Sequence, residues 1–272
     1  MNGSSLKKPS PTTNFENILA LRPPIGGWTP FSSIDDPGHL STVLFLEGCP
    51  WRCGYCHNRH LWNHRAQTDI HQLRAFVSHL ENRRGLLDSV VISGGEPTAF
   101  QQLPELADSL RSHYRVALHT GGAETETFAQ ALPFINWVGF DFKTTWDNYS
   151  QLTRNNQSGT NGQRSLECLL ASQTPYEIRT TITPTHHTQE ILLNMLDQLI
   201  ALDIKTWFLQ EGRQSSRKRM EELDELLNDA FIDQLRNRAD DSKIKINMRH
   251  ADGSQSTLTH SEQRLGYSSD RS

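Results

Sequence analysis

The 272-residue chain is sparing with cysteine and with methionine, four of each. Nowhere do eighteen apolar residues run together, so no membrane-spanning helix is expected. The two lysines of the opening MNGSSLKKPSPTTN have no apolar stretch behind them, and no secretory signal is read there. Basic residues are not in excess either. Lys and Arg number 27 against 31 Asp and Glu, a net charge of −4, and no nucleic-acid partner is expected. No repeat of fixed period is visible. These absences leave a cytoplasmic protein without a membrane partner, long enough for one core of barrel size or two smaller ones. In a reducing compartment, clustered cysteines are metal ligands more often than disulfide halves.

What is present alternates. Short runs rich in Val, Ile, Thr and aromatics occur at 42–46, 89–92, 115–118, 136–142, 177–182 and 204–209, and each reads as a strand. Between them apolar residues recur at helical spacing: Ile70, Leu73, Phe76, Val77 and Leu80; then Ile191, Leu192, Met195, Leu196, Leu199 and Ile200. Leu103, Leu106 and Leu110, with Pro104 near the start, predict a third, shorter helix. Strands alternating with helices predict an α/β fold, a partial (β/α) barrel with parallel strands and the helices outside. Residues 1–13 and 251–272 are expected to be flexible tails around one domain of residues 14–250, and QSSRKRMEELDE to be a loop entering a solvated helix.

Three of the four cysteines, Cys49, Cys53 and Cys56, crowd into EGCPWRCGYCHNRHLW, directly after the first of these strands. In a parallel sheet that is the carboxyl edge, where ligands bind. Spacing leaves two centres open. Zinc would need a fourth ligand, with His57 adjacent. A [4Fe–4S] cluster on three thiolates would leave one iron for a small molecule. Cys168 stands alone and reads as an inert thiol. A second motif, SVVISGGEPT, ends a buried strand in Gly94-Gly95-Glu96, two glycines for close backbone approach beside a carboxylate that can accept from a cationic amine.

The C-x3-C-x2-C spacing with Tyr55 before the last cysteine, paired with Gly94-Gly95-Glu96, resembles the radical S-adenosylmethionine superfamily. The resemblance implies a [4Fe–4S] cluster on Cys49, Cys53 and Cys56, and S-adenosylmethionine as second cofactor, its amino group received by Gly94, Gly95 and Glu96. It also implies cofactor-facing roles for Asp141 and Lys143 of GFDFKT, which alternation puts on one face of a strand end, and for Arg179 of YEIRTTITP. Asn58 would shape the cluster loop, with Tyr55 and His57 beside adenine. His119, in HTGG, stands where many relatives have the aspartate of DTNG. Gln210 and Arg213 lie at the expected rim.

Within the superfamily, GGWTPFSSIDDPGHLSTVLFLEGCPWRCGYCHN resembles the activases that install glycyl radicals, most closely those of anaerobic ribonucleoside-triphosphate reductase, over about residues 22–212. That resemblance implies a glycyl-radical enzyme as partner and an electron donor such as a flavodoxin or ferredoxin. Two other readings stand beside it: a small-molecule enzyme like 7-carboxy-7-deazaguanine synthase, whose QGEG-like opening is missing, and a non-catalytic iron–sulfur sensor. Auxiliary clusters are not expected, since Cys168 alone cannot supply one.

Overall fold

The computed structural model describes residues 13–64, 68–212 and 217–259. In chain order the elements are α1 (Thr13–Leu21), β1 (Ile25–Ser32), β2 (Ser41–Leu46), α2 (Ile70–Asn82), β3 (Ser89–Gly94), α3 (Leu103–Arg111), β4 (Arg115–Thr120), α4 (Thr125–Ala131), β5 (Trp137–Asp141), α5 (Tyr149–Thr153), α6 (Ser158–Ser172), β6 (Tyr176–Ile182), α7 (Gln189–Ala201), β7 (Thr206–Glu211), α8 (Arg217–Leu226), α9 (Asp229–Asp241), β8 (Lys245–Arg249) and β9 (Gln255–Thr257). The fold is α/β and mostly parallel. Packing divides it into two compact units, residues Met1–Phe140 with Thr153–Tyr176, and Asp141–Leu152 with Glu177–Ser272, where the sequence reading has one domain over 14–250.

In the first unit β2, β3, β4 and β5 are parallel neighbours, and β1 runs antiparallel on the outer side of β2. Their register explains the continuous apolar runs. Val43, Val91, Ala117 and Trp137 align across four strands and cluster on one face with Phe45. Leu44, Ile92, Leu118 and Val138 align on the other, each fully buried. A strand covered on both faces has no reason to alternate polar and apolar residues. Helix α2 follows the predicted spacing: Asp69 caps it by accepting from the His71 and Gln72 N–H groups, and Leu73, Phe76, Val77 and Leu80 are buried.

In the second unit β6, β7 and β8 are parallel neighbours and β9 pairs antiparallel with β8. Helix α7 is capped by the Thr188 hydroxyl and buries Leu192, Met195, Leu196 and Leu199. The strand expected at 204–209 starts two residues later. Asp203 adopts φ 55° and Ile204 N–H donates to Leu199 O, so both residues finish the helix. β9 lies inside the expected C-terminal tail, because Met248 and Arg249 find partners in Ser256 and Gln255. The expected N-terminal tail lies almost wholly outside the described residues, as does the tail beyond Thr259.

Candidate functional site

The cysteine loop leaves β2 at Glu47 and closes on itself. Gly48 N–H donates to Leu61 O at 2.8 Å and Cys49 N–H to Trp62 O at 3.1 Å, so its head and tail are stitched side by side. Within the loop Cys56 N–H donates to Cys53 O, and the Asn58 carbonyl starts a 3₁₀ turn by accepting from Leu61 N–H. Arg52 anchors the loop's middle: its backbone N–H donates to Thr153 O at 2.7 Å and its guanidinium to the Cys49 and Trp51 carbonyls. Arg59 donates to Gly54 O, and both guanidinium groups lie over the Trp62 ring, 5.3 and 5.6 Å from its centre. Cys53 is buried and Cys49 and Cys56 are half-buried, with no disulfide at any of the four cysteines. Tyr55 and Asn58 are half-buried and His57 is exposed.

The Gly-Gly-Glu motif grips the head of this loop. Gly95 N–H donates to Leu46 O and Glu96 N–H to Gly48 O, both at 2.8 Å. Gly94 has φ +121°, and a Cβ there would meet the Phe45 carbonyl carbon at 2.9 Å and Leu46 backbone closer still. A Cβ on Gly95 would stand 2.8 Å from the Gly48 carbonyl carbon and 2.9 Å from Leu61 O. Only glycine permits both the left-handed turn and the contact of two backbones. The two motifs read separately in the sequence are therefore one piece of backbone.

The Glu96 side chain is not aimed outward. It is 4% exposed, and its Oε1 accepts from Thr98 N–H at 3.1 Å, from Thr98 Oγ1 at 2.8 Å and from Thr120 Oγ1, while Oε2 accepts from Gly121 N–H at 2.9 Å. The carboxylate thus ties the end of β3 to the end of β4. Of its roughly four acceptor positions only one, on Oε2, remains for an amine. Its charge reaches Glu124, whose carboxyl is pushed up from the usual range, mainly by burial and then by Glu96 and Glu126. Glu96 is thus a buried tie that keeps one acceptor position for the amine expected from the sequence.

His119 is likewise tied into the fold. Its Nε2 sits 2.7 Å from Asp35 O, and its ring meets Trp137 edge-on at 5.8 Å. It shares a face of β4 with Arg115, which pairs with the fully buried Asp36 at 3.0 Å. Both side chains hold the Asp35-Asp36-Pro37-Gly38 turn, whereas Thr120 alone of the β4 end reaches Glu96. Strand alternation sends neighbours to opposite faces.

The second unit brings together Asp141, Lys143 and Arg179. Arg179 Nη2 and Nε donate to Asp141 Oδ1 at 2.9 and 3.2 Å, and Lys143 Nζ is 3.5 Å from Oδ2. His187 braces this cluster: Nε2 is 2.9 Å from Lys143 O, and Nδ1 is 3.1 Å from Thr183 N and 3.3 Å from Thr183 O. Burial pushes its pKa down, holding it neutral. Gln210 ends β7, half-buried, and Arg213 lies outside the described residues.

Reading the sequence missed Gly48, Thr98, Thr120, Gly121 and His187. A glycine directly before the first cysteine was the one local signal. The Thr120 and Gly121 contacts to Glu96 bridge 24 and 25 residues and leave no short-range mark.

Among the described residues, no three His, Cys, Asp or Glu side chains group around a point that would hold a single ion. A four-iron cluster is a larger object and takes thiolates from separate corners, which three reduced thiols on one closed loop can supply. Glycine at 48, 94 and 95 is required by packing within the chain: a Cβ on Gly48 would meet the His64 imidazole, and one on Gly94 or Gly95 the backbone of Leu46 or Gly48.

Comparison with known proteins agrees with this chemistry. Residues 43–173 match the model of the Radical SAM superfamily, whose members use a [4Fe–4S] cluster and S-adenosylmethionine. It is 29% identical over 140 residues to a glycyl-radical enzyme activating enzyme of Methanocaldococcus jannaschii, covering 50% of this chain and 56% of that protein. It is 28% identical over 137 residues to the pyruvate formate-lyase-activating enzyme of Clostridium pasteurianum, covering 46% and 55%. With the 7-carboxy-7-deazaguanine synthase of Pyrobaculum aerophilum it shares 33% over 92 residues, 33% of this chain and 40% of that one. The chain thus spans about half the length of the curated relatives it matches. Among solved structures, anSMEcpe with bound AdoMet and the Cp18Cys peptide superposes with TM-score 0.56 at 15% identity, over 75% of this chain and 60% of that one, a likeness of fold.

Proposed function

We propose that this chain is a glycyl-radical enzyme activase acting on anaerobic ribonucleoside-triphosphate reductase. The observation that supports the reading is the stitching of the cysteine loop to Gly94-Gly95-Glu96 through Gly48, which joins the three clustered cysteines and that turn in one hydrogen-bonded backbone. Cys49, Cys53 and Cys56 would ligate three irons. The amino group of S-adenosylmethionine would meet the backbone at Gly94 and Gly95 and the open position on Glu96 Oε2. When bound, the reduced cluster would supply one electron for reductive cleavage of S-adenosylmethionine, chemistry directed at a C–H bond of a glycine of the partner.

The chain's own residues do the rest. The resemblance implies cofactor-facing roles for Asp141, Lys143 and Arg179, and within the second unit one carboxylate is clamped by both cations. Tyr55, His57 and Asn58 would line the loop on the adenine side, with Asn58 also shaping its turn. An electron donor of the flavodoxin or ferredoxin kind would supply the electron. No described helix is long and apolar enough to cross a membrane, which accords with a cytoplasmic site of action.

The test is an electron paramagnetic resonance spectrum of the anaerobically reconstituted protein with reductant, S-adenosylmethionine and the reductase. A glycyl-radical doublet on the reductase, absent without S-adenosylmethionine, is the expected result. If 5′-deoxyadenosine accumulates and no doublet forms, the partner is wrong, and the similarity to 7-carboxy-7-deazaguanine synthase makes a small pterin the next substrate to try. If neither appears, the centre is a sensor.

A further inference from the structure

The last torsion of a glutamate side chain is broad, so a carboxylate that must meet a ligand from one direction needs something to hold it. Glu96 is held through two buried hydroxyls. Thr98 and Thr120 are 0% and 2% exposed, and each hydroxyl already accepts a backbone N–H: Thr98 Oγ1 from Glu124 at 3.2 Å and Thr120 Oγ1 from Gly122 at 2.8 Å. A hydroxyl has a single proton to give. Among the described residues the one acceptor that either hydroxyl meets is Glu96 Oε1, so both protons point there. The N–H behind Thr120 is itself fixed in place. Gly122 has φ +72°, a Cβ there would stand 2.9 Å from Phe140 Cε2, and Ser165 Oγ of α6 donates to Gly122 O at 2.9 Å. With Thr98 N–H added, Oε1 receives three donors, whereas Oε2 receives Gly121 N–H alone. Every one of these donors is a hydroxyl or a backbone amide, and among the described residues no Lys, Arg or His side chain pairs with this carboxylate.

On the reading that S-adenosylmethionine is the cofactor, we propose that Thr98 and Thr120 are positioning residues for its amino group: by filling Glu96 Oε1 they leave Oε2 as the one place where a cationic donor can land. Selectivity for the amine then belongs to two side chains outside the cysteine loop and outside Gly94-Gly95-Glu96. Removing either hydroxyl opens an acceptor position on Oε1 and strips a backbone N–H of its own acceptor. The carboxylate can then turn about its last torsion and take more than one orientation. An ammonium group loses a preorganised partner, while the parts of the cofactor that do not touch Glu96 lose nothing. The consequence is confined to one functional group of the bound molecule, which a general loosening of the fold is not.

The test is titration calorimetry on the anaerobically reconstituted protein, without reductant or reductase, using S-adenosylmethionine and its analogue with hydrogen in place of the amino group. The wild type is expected to bind the analogue about tenfold or more weakly than S-adenosylmethionine. Thr120→Val, similar in shape and lacking the hydroxyl, should lose about tenfold for S-adenosylmethionine and bind the analogue as the wild type does, so that the two Kd values converge. Thr98→Val should show the same pattern, and Thr120→Ser, which restores the hydroxyl, should return the wild-type ratio. A ratio unchanged in Thr120→Val, with both compounds weakened in step or neither weakened, would overturn the proposal. So would a loss in Thr120→Ser equal to that in Thr120→Val. Should Thr120→Val fail to reconstitute, Thr98→Val and Thr120→Ser supply the same comparison. A wild type that does not distinguish the two compounds overturns the amine contact and leaves a glycyl-radical doublet on the reductase attainable, whereas binding of neither overturns the cofactor reading as well. Discrimination that follows the hydroxyls, with no doublet in the separate resonance experiment, supports this assignment and removes only the activase reading.

Discussion

Replacing Gly95 by alanine tests whether the cysteine loop and the Gly-Gly-Glu turn are one structural piece. The added methyl would sit 2.8 Å from the Gly48 carbonyl carbon and 2.9 Å from Leu61 O, both backbone atoms that cannot rotate away. To make room, the head of the loop must shift from β3, which stretches the 2.8 Å hydrogen bond from Glu96 N–H to Gly48 O. Overpacking of this kind costs about 1–3 kcal/mol, and the weakened hydrogen bond about 1 kcal/mol more. A total of about 2–4 kcal/mol corresponds to roughly 5–10 °C in Tm for a chain of this size. Gly27→Ala is the matched control, since a Cβ there meets nothing within 4 Å, and its effect should stay within about 0.5 kcal/mol. The assays are a thermal melt and iron content with visible absorbance after reconstitution. Gly95→Ala should lose both stability and iron, and Gly27→Ala neither. If Gly95→Ala matched the control on both measurements, the close contact between loop and turn would be wrong.

Three further outcomes are expected. Glu96→Gln turns an acceptor into a donor facing either the Gly121 N–H or the Thr98 and Thr120 donors, and should cost about 1–3 kcal/mol by urea unfolding; an unshifted midpoint would refute the tie. Asp141→Ala leaves the nearly buried Arg179 without its carboxylate. Because Asp141 is itself 37% exposed, solvent softens the loss to about 1–2 kcal/mol, and weaker S-adenosylmethionine binding by calorimetry should accompany it. His187, with its pKa pushed down by burial, binds fewer protons folded than unfolded. Stability is therefore full above pH 6.5 and declines as pH falls from there toward the lowered value, by up to about 1.4 kcal/mol per pH unit. His79 and His186 are shifted in the same direction. Melts between pH 7.5 and 5 should slope downward, and less steeply in His187→Gln.

The strands that carry the site were legible because both faces of β2 to β5 are covered, which writes them as unbroken apolar runs. β1 was not. IGGWTPFS contains two glycines and a proline, which an antiparallel strand paired on one side tolerates and a pattern search reads as loop. Helix α6 was missed for a similar reason: its first half, SGTNGQRS, is polar with two glycines, and it is held by packing of Ser165, Leu166 and Leu169. At the site the cysteines and Gly-Gly-Glu stood out by spacing. Alternation correctly put Asp141 and Lys143 on one side, and the ion pair follows from it. What could not be read was partner choice across distance. Glu96 spends its acceptors on Thr98, Thr120 and Gly121, and His119 turns to Asp35, because the fold supplies those donors and acceptors from other strands.

The paired hydrogen bonds from Gly48 to Leu61 and from Cys49 to Trp62 bear on what holds the cysteine loop in shape. Closing a loop of about a dozen residues costs on the order of 2 kcal/mol in chain entropy, and here polypeptide alone meets it. In a zinc finger the metal creates the fold, so its loss unravels the site. Here the two ends of the loop are joined by backbone groups alone, with no thiol among the partners, so the peptide chain itself carries the frame in which the cysteines sit.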